Sequence, residues 1–424
     1  MMTKNQETIA GLGVRSILHI NEKGGKFGGT EEYIISLAQL LMPMGISSHL
    51  LYDGVHGTMP TVPEKSEISH TFIPGLGNRD GDAEVADRVL DAVREINPDL
   101  VYVHNIFDGR VIQALNQPDR KYLILWYIHD HFPTCLTELR ARRNQADIVC
   151  YQPLSQACLD NIAAGDCVKR HAQRNFADGD LKARISLLKS LGGVDAIVVV
   201  SEFMKEILIA NLPDISEKTY VLPRQVRPSN KIIQRSTAAA PAIAWAGRIT
   251  WEKGLHLAIE ALCYLQVKEK IVFKIVGVVE NESYWSDCLK LASQVESKNT
   301  WISIQYLGHL SYEEVDRLYG EADIVVVPSI WGEPLGTVAA EALRNGAAVV
   351  ASAVGGIDTW VIPGKTGILM KPNDAAALSE AIAILLDDRE LRSNLANAGR
   401  ELINSKFTGE EHLKALAEVI QNCR

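Results

Sequence analysis

The sequence lacks any apolar run long enough to cross a membrane, for which about 18 residues are needed. Its first residues, MMTKNQETIAGLG, contain no apolar stretch of the kind that a signal peptide requires. These absences argue against a membrane-spanning or secreted protein, so we expect a cytoplasmic location. Peripheral association with the inner face of a membrane is left open, because it needs no spanning helix.

Positive charge is not in excess either. Lys and Arg total 43 against 52 Asp and Glu, which gives a net charge of −9 and a pI near 5.7. This balance argues against nucleic acid as a partner. Hydrophobic residues at 47% and charged residues at 22% are typical of globular proteins. A chain of 424 residues predicts two or three domains.

Cysteine occurs seven times, an odd number, and no two cysteines form a C-x-x-C pair. This usage favours reduced thiols over a disulfide framework. Four cysteines fall within 33 residues: Cys135, Cys150, Cys158 and Cys167. Their spacing is unlike that of zinc or iron–sulfur sites. We expect ordinary thiols here, and metal binding by this group is left undecided.

Short apolar runs alternate with helical patterns along nearly the whole chain, which is typical of parallel α/β proteins. The alternation is interrupted at 221–241, where proline, serine and cationic residues sustain neither period. The pattern predicts two doubly wound domains, residues 1–225 and residues 226–424, with packing of the last helix back on the first domain left open. In such sheets ligands bind beyond the carboxyl ends of the strands, so strand-to-helix loops should carry the function.

Two of these loops have features that suit phosphate. The loop NEKGGKFGGTEE at 21–32 is rich in glycine, and the helix after it directs free N–H groups at the loop. It is neither a Walker loop nor a G-x-G-x-x-G loop, and a flexible turn is the alternative. The loop AGRITWEKG at 246–254 places Arg248 and Lys253 beside a helix start, where two cations can hold a diphosphate. Two ordinary surface cations are the alternative there.

A third loop, SIWGEPLG, joins the apolar run ADIVVVPS to the helical pattern TVAAEALRNG. Glu333 lies in the loop, and Glu341 falls about one turn into the helix, on the same side as Thr337. Carboxylates accept hydrogen bonds from hydroxyls, and the amides between the two acids suit a phosphate. This arrangement favours a ligand with both hydroxyl and phosphate groups. A helix-capping acid and an exposed helix acid are the alternative.

Five motifs, GGTEE, HD, GRITWEKG, EPLGTVAAEA and AVGG, occur in this order along the chain. Together they resemble glycosyltransferase family 4, of the two-domain GT-B type. The resemblance covers essentially the whole chain and is strongest from 242 to 370. It implies an α/β fold of two Rossmann-like, doubly wound domains that face each other across a cleft. The C-terminal domain would bind a nucleotide-sugar donor, and the N-terminal domain would lie on the acceptor side.

The resemblance also implies roles for residues of the C-terminal domain. Arg248 and Lys253 match the pair that holds the diphosphate. Glu333 matches the acid that contacts donor-sugar hydroxyls, and Glu341 the acid that contacts the ribose. Leu310, in LGHLS, matches the position where the base stacks. Four residues of the third loop complete the donor site that the resemblance implies: Pro334, Leu335, Gly336 and Thr337.

From the N-terminal domain, Gly28 and Gly29 match the loop that closes over the diphosphate. His129, in YIHDHF, matches a histidine near the donor sugar. A merely structural histidine at a strand end is the alternative for His129, and His104 in VYVHN is a weaker case of the same kind. The resemblance therefore assigns the catalytic roles to four residues: Arg248, Lys253, Glu333 and His129.

Members of the family retain the anomeric configuration without a metal, so no metal or other cofactor is expected. Two D-x-D strings, at 80–82 and 178–180, precede helical patterns, which favours turns and helix caps over metal ligands. One departure concerns a loop in which the family commonly has Gly-Gly-x-Pro-Glu. This chain has Gly355, Gly356, Ile357, Asp358 and Thr359 there, and the missing acid puts donor contact by this loop in doubt.

We therefore expect a retaining, metal-independent hexosyltransferase that takes its hexose from a nucleotide sugar. UDP-glucose or another UDP-sugar is favoured over GDP-mannose, and the acceptor is expected to be a glycan or lipid-linked molecule in polysaccharide biosynthesis. A sugar-nucleotide epimerase or hydrolase of the same fold is one alternative. A non-catalytic nucleotide-sugar binding protein is the other, although the intact cations and acids of the donor site argue against it.

Overall fold

The computed structural model describes residues 8–24, 28–54, 68–78, 84–143, 148–170, 174–227, 240–267 and 269–424. The chain divides into two compact units. The first consists of Met1–Glu138, Tyr151–Gln225 and Gly409–Arg424, and the second consists of Leu139–Cys150 and Val226–Thr408.

The described part of the first unit contains a seven-stranded parallel sheet. Its strands are β1 (Ser16–Lys23), β2 (Ser47–Asp53), β3 (Ser69–Phe72), β4 (Leu100–Val103), β5 (Leu123–Ile128), β6 (Ala196–Val199) and β7 (Thr219–Val221). They are ordered β3-β2-β1-β4-β5-β6-β7, and every pairing is parallel. The helices that follow along the chain are α1 (Gly29–Leu41), α2 (Val85–Ile96), α3 (Gly109–Leu115), α4 (Gln156–Ala163), α5 (Asp178–Ser190) and α6 (Glu202–Asn211).

The described part of the second unit contains a six-stranded parallel sheet. Its strands are β8 (Ala242–Ala246), β9 (Ile271–Val276), β10 (Ile302–Tyr306), β11 (Ile324–Val327), β12 (Ala348–Ser352) and β13 (Gly367–Met370), in the order β10-β9-β8-β11-β12-β13. Its helices are α7 (Leu255–Tyr264), α8 (Glu282–Lys298), α9 (Tyr312–Glu321), α10 (Thr337–Arg344), α11 (Ala375–Asp387) and α12 (Arg389–Lys406). The doubly wound α/β class expected from the alternation is confirmed for both units.

The last helix, α13 (Gly409–Asn422), belongs to the first unit. Its apolar residues Leu416 and Ile420 are fully buried. Nε2 of His412 lies 2.9 Å from the Tyr33 hydroxyl, and its Nδ1 lies 3.1 Å from the carbonyl oxygen of Pro223. These contacts tie the end of the chain to α1 and to the segment after β7.

The inner strands of both sheets are continuous apolar runs because parallel sheets are buried on both faces. All four residues of β4, β6 and β11 are buried, with sequences LVYV, AIVV and IVVV. Side-chain caps mark where helices begin. Ser201 accepts a hydrogen bond from the amide of Met204 at the start of α6, and Ser311 and Glu314 form a reciprocal capping box at the start of α9.

Candidate functional site

The carboxyl edge of the second sheet brings the candidate donor loops together. The chain moves outward from β8 through β9 to β10, and outward on the other side from β11 through β12 to β13. β8 and β11 are neighbours, so the loops after them diverge and leave a crevice at this switch point. The loop after β8 contains Arg248 and Lys253, and the loop after β11 contains Glu333.

Lys253 and Glu333 form an ion pair at this switch point. Nζ of Lys253 is 2.9 Å from Oε2 and 3.2 Å from Oε1 of Glu333. The Glu333 carboxylate also accepts hydrogen bonds from the Ser329 hydroxyl at 3.1 Å and from Nε1 of Trp331 at 2.8 Å. The Trp331 ring lies 4.9 Å from the Lys253 ammonium, within reach of a cation–π contact. Since Glu333 is only 7% exposed, these donors compensate a nearly buried charge.

The ion pair faces a pocket that we call the switch-point pocket. Its cavity volume is about 50 Å³, and its lining includes Trp245, Lys253, Ser329, Glu333, Gly336 and Thr337. A cation, an acid and the first residue of α10 thus line the same cavity. Such a cavity can take a ligand that has both an anionic group and hydroxyl groups.

Arg248 lies in the same loop as Lys253 but contacts different carboxylates. Its guanidinium is 2.7 Å from Oε2 of Glu280 and 3.5 Å from Oε1 of Glu252. The side chain is 36% exposed and does not line the switch-point pocket. The structure therefore places Arg248 at the correct edge of the sheet without bringing it to Glu333.

The turn before α10 requires glycine at position 336. Gly336 has φ +70°, a left-handed conformation, and a Cβ there would lie 2.7 Å from Cγ1 of Ile357. Beside it, Leu335 is buried, and its carbonyl oxygen accepts a hydrogen bond from Nε1 of Trp360 at 2.6 Å. Pro334 is buried as well. Ile357 and Trp360 therefore hold the loop in place while Thr337 lines the pocket.

Glu341 lies one turn further along α10 and is only partly buried. It does not line the switch-point pocket. It lies near Tyr319 of α9, where burial first and the Glu341 charge second raise the pKa of the phenol. The two acids singled out in the sequence thus have separate surroundings.

The Gly355–Gly356 pair supports Glu333 through its backbone. The amide of Gly356 donates to the carbonyl oxygen of Glu333 at 2.8 Å. Gly355 has φ +58°, and a Cβ there would lie 2.0 Å from the same oxygen. The sequence could show the glycine pair but not that it lies against the Glu333 loop. Asp358, beside the position of the missing acid, is an exposed residue, and partial burial of its carboxyl raises its pKa.

A second support comes from residues that sequence reasoning did not connect with this site. The amide of Gly332 donates to the carbonyl oxygen of Leu139 at 3.2 Å. Leu139–Cys150 belongs to the second unit and is held by an antiparallel bridge between Ala141 and Val149. Ser329 and Trp331 were likewise not singled out, although both lie within four residues of Glu333 and bind its carboxylate.

Leu310 lies after β10 at the same edge of the second sheet, two strands away from β8. It is partly buried, directly before the capping box of α9. In the first unit, Gly28 caps α1 and Gly29 is its first residue. The carbonyl oxygen of Gly29 accepts from Nη1 of Arg224 at 2.8 Å. Residues 25–27 of this glycine-rich loop lie outside the described residues.

His129 follows β5 and belongs to a row of histidines. Its Nε2 lies 3.0 Å from Nδ1 of His104, whose own Nε2 lies 3.0 Å from Nδ1 of His19. Burial, and then the charge of Arg224, lower the pKa of His129 to about 3. His131, in contrast, is fully buried and packs edge-on against Phe203.

Two family models match the chain and together span residues 27–402. The model described as Glycosyltransferase Family 4 matches residues 27–230, and the model described as Glycosyl transferases group 1 matches residues 228–402. The chain belongs to glycosyltransferase family 4.

Curated relatives match this family 4 chain over part of their length. It is 32% identical to a glycogen synthase of Mycobacterium tuberculosis over 186 residues, which is 44% of each chain. It is 28% identical to the lipopolysaccharide 1,2-N-acetylglucosaminetransferase of Salmonella typhimurium over 243 residues, 53% of this chain and 62% of that relative. The match thus spans less than two thirds of either relative.

Solved structures share the fold over almost the whole chain. A glycosyltransferase from Rickettsia africae has a TM-score of 0.69 at 20% identity, covering 97% of this chain and 98% of that chain. Anabaena HepE, solved in complex with UDP and glucose, has a TM-score of 0.68 at 18% identity, covering 96% and 99%. These likenesses concern the fold, and they confirm the expected GT-B class.

The clustered cysteines and the two D-x-D strings are the candidate metal ligands of this family 4 chain. The described residues contain no group of three or more His, Cys, Asp or Glu placed to hold a metal ion. None of the seven cysteines forms a disulfide. Asp178 begins α5, and Asp180 accepts from the amide of Ala177 at 2.8 Å and pairs with Arg174. The other D-x-D string, at 80–82, lies outside the described residues. No helix in the described ranges has the length and apolar character needed to cross a bilayer.

Proposed function

We propose that this chain transfers a hexose from a nucleotide sugar, a UDP-sugar ahead of GDP-mannose, to a glycan or lipid-linked acceptor in polysaccharide biosynthesis. The transfer retains the anomeric configuration and needs no metal. The observation that carries the proposal is the Lys253–Glu333 pair in the switch-point pocket. It places a cation for a diphosphate next to an acceptor for sugar hydroxyls.

Lys253 and Glu333 can each form further hydrogen bonds to a nucleotide sugar while they remain paired with each other. An ammonium group has three N–H donors, so Lys253 can bind Glu333 and a phosphate oxygen together. Oε2 of Glu333 accepts from Lys253, Ser329 and Trp331, whereas Oε1 accepts from only one of the described residues, Lys253, at 3.2 Å. Oε1 is therefore the atom for a sugar hydroxyl. As the bond to the sugar breaks, negative charge grows on the diphosphate, and a nearby ammonium stabilises that charge.

The comparisons support the choice of substrates to test first. Anabaena HepE has been solved with UDP-glucose, with UDP and with UDP and glucose, which makes UDP-glucose the first donor. The Salmonella relative is a lipopolysaccharide N-acetylglucosaminetransferase, which supports a glycan or lipid-linked acceptor. Arg248, His129, Gly28, Gly29 and Leu310 keep their expected roles as part of this proposal.

The test uses the full chain with ¹³C-glucose-labelled UDP-glucose and a panel of soluble and lipid-linked glycans. We expect slow UDP release alone, faster release with an accepting glycan, and a product whose anomeric carbon signal shows retention. Activity should survive exhaustive chelation with EDTA. An inverted product overturns retention, and loss of activity that is restored by a divalent cation overturns metal independence. Complete consumption of the donor without acceptor would favour the hydrolase or epimerase alternative.

A further inference from the structure

Three histidines of the first unit, His19, His104 and His129, form a continuous row of imidazole rings. His19 lies on β1, His104 directly follows β4 and His129 directly follows β5, on three neighbouring strands. The two nitrogen–nitrogen distances along the chain are both 3.0 Å. His19 and His104 are buried at 0% and 1% exposure, whereas His129 is partly exposed. No described residue hydrogen-bonds to Nδ1 of His129. This row of rings therefore runs from the buried His19 to Nδ1 of His129, which is the open nitrogen at its outer end.

Burial keeps the three imidazole rings neutral. It lowers the pKa of His19 to about 3 and, together with Arg224, that of His129 to about 3. Burial and the two neighbouring imidazoles also hold the pKa of His104 well below its ordinary value. A neutral imidazole has one N–H and one bare nitrogen, so each ring can donate once and accept once.

Two proton arrangements satisfy both hydrogen bonds. In the outward arrangement His19 donates from Nδ1 to His104, and His104 donates from Nδ1 to His129. His129 then carries its proton on Nδ1, the open nitrogen. In the inward arrangement each proton moves to the opposite nitrogen, and His129 presents a bare Nδ1.

The buried end of the chain distinguishes the two arrangements. Nε2 of His19 is buried and has no hydrogen-bond partner among the described residues. The inward arrangement puts an N–H there with nothing to accept it, whereas the outward arrangement leaves only a bare nitrogen. Buried backbone groups show which state costs more, since orphaned N–H groups are rarer than under-satisfied acceptors. The outward arrangement is therefore the more stable one.

We propose that His19 and His104 are positioning residues that fix His129 in its Nδ1–H tautomer, so that His129 presents a neutral hydrogen-bond donor. A ring held in this way cannot take a proton through Nδ1. The partner of the N–H rests on the proposed function, in which it is an oxygen of the transferred sugar or of its leaving group. The tautomer itself is a property of the protein alone and is tested without substrate.

The direct test is ¹⁵N NMR of the full chain with ¹⁵N-labelled histidine, with the His129 signals assigned by a His129→Gln variant. We expect a protonated Nδ1 and a bare Nε2 on His129. A protonated Nε2, or averaged signals from two exchanging tautomers, overturns the proposal. If the expected tautomer is seen but no nucleotide sugar is used, the proposed function fails while the positioning role stands.

A matched pair of variants tests the buried end of the chain. His19→Asn retains an N–H near the position of Nδ1, whereas His19→Leu has a similar size and no donor. We expect His19→Leu to lose the fixed tautomer of His129 and about tenfold in kcat, with KM little changed. His19→Asn should restore the Nδ1–H signal and most of the lost turnover. An Nδ1–H signal that persists in His19→Leu would show that His19 does not position His129.

Discussion

The Lys253–Glu333 ion pair should be worth a measurable part of the stability of the second unit. The two side chains are 19% and 9% exposed, and the ammonium approaches both carboxylate oxygens within 3.2 Å. The perturbation is a double-mutant cycle of Lys253→Met, Glu333→Gln and the two together. Each single change leaves one partner without its counter-charge, whereas the double change removes both charges.

The surroundings of each partner set the expected magnitudes. Removing one member of a buried pair typically costs 3–5 kcal/mol, and the partial exposure of Lys253 reduces this to about 2–3 kcal/mol for Glu333→Gln. Lys253→Met should cost less, about 1–2 kcal/mol, because Ser329 and Trp331 still donate to the carboxylate. The double variant should lose less than the sum of the singles, with a coupling energy of about 2 kcal/mol.

Equilibrium urea unfolding followed by tryptophan fluorescence measures these values, because Trp245 lines the pocket and the Trp331 ring contacts Lys253. The matched control is the exposed pair Lys290–Asp287, whose side chains are 70% and 69% exposed. Its coupling energy should stay below about 0.5 kcal/mol. If the Lys253–Glu333 coupling is no larger than this control, the pair does not hold the pocket together and the reasoning is wrong.

Three other results are expected. Gly355→Ala should lower kcat/KM at least about 100-fold, because the added Cβ displaces the Glu333 backbone. Gly346→Ala is the control and should keep its activity, since Gly346 has a similar φ but an added Cβ would meet no atom within 4 Å. Equal kinetics for the two variants would refute the role of Gly355. Glu341→Ala should weaken UDP binding in calorimetry more than it lowers kcat, and an unchanged affinity would remove Glu341 from the ribose site. Acid should destabilise the first unit between pH 6.5 and about 3, since buried imidazoles bind protons in this range only after unfolding. The three most fully buried imidazoles should lower the free energy of unfolding by at least about 4 kcal/mol per pH unit near pH 5, seen as a falling Tm, since the partly exposed His129 adds to their effect. A flat Tm would contradict their burial. The groups are His19, His104 and His412.

Local patterns in the sequence were sufficient to predict the α/β class and the loops that carry the candidate residues. Apolar runs such as IVVV and AVVAS indicate buried parallel strands by themselves, and β11 and β12 are where those runs predict. Short edge strands give a weaker signal. β7 has three residues, too few for a period to show, and β13 (GILM), although as long as β11, begins with glycine and lacks a run of β-branched residues.

The sequence could not predict contacts between residues that are far apart along the chain. Lys253 and Glu333 are 80 residues apart, and only the strand order, with β8 beside β11, brings their loops together. The same holds for Gly355, whose need for glycine comes from the Glu333 carbonyl oxygen and not from its own neighbours in sequence. The sequence gives no sign of a role for His19, which lies within an apolar strand, because its partner His104 is 85 residues away.

The central claim is that Lys253 holds the diphosphate of a nucleotide sugar, and isothermal titration calorimetry with UDP tests it most directly. We expect the wild-type chain to bind UDP and Lys253→Met to bind it at least about tenfold more weakly, since a charge-assisted hydrogen bond to phosphate is lost. Lys290→Met, which removes the same charge from an exposed site on α8, should bind UDP within about twofold of wild type. Equal affinity of wild type and Lys253→Met, or no binding of UDP and of other nucleotide diphosphates by wild type, would contradict the account.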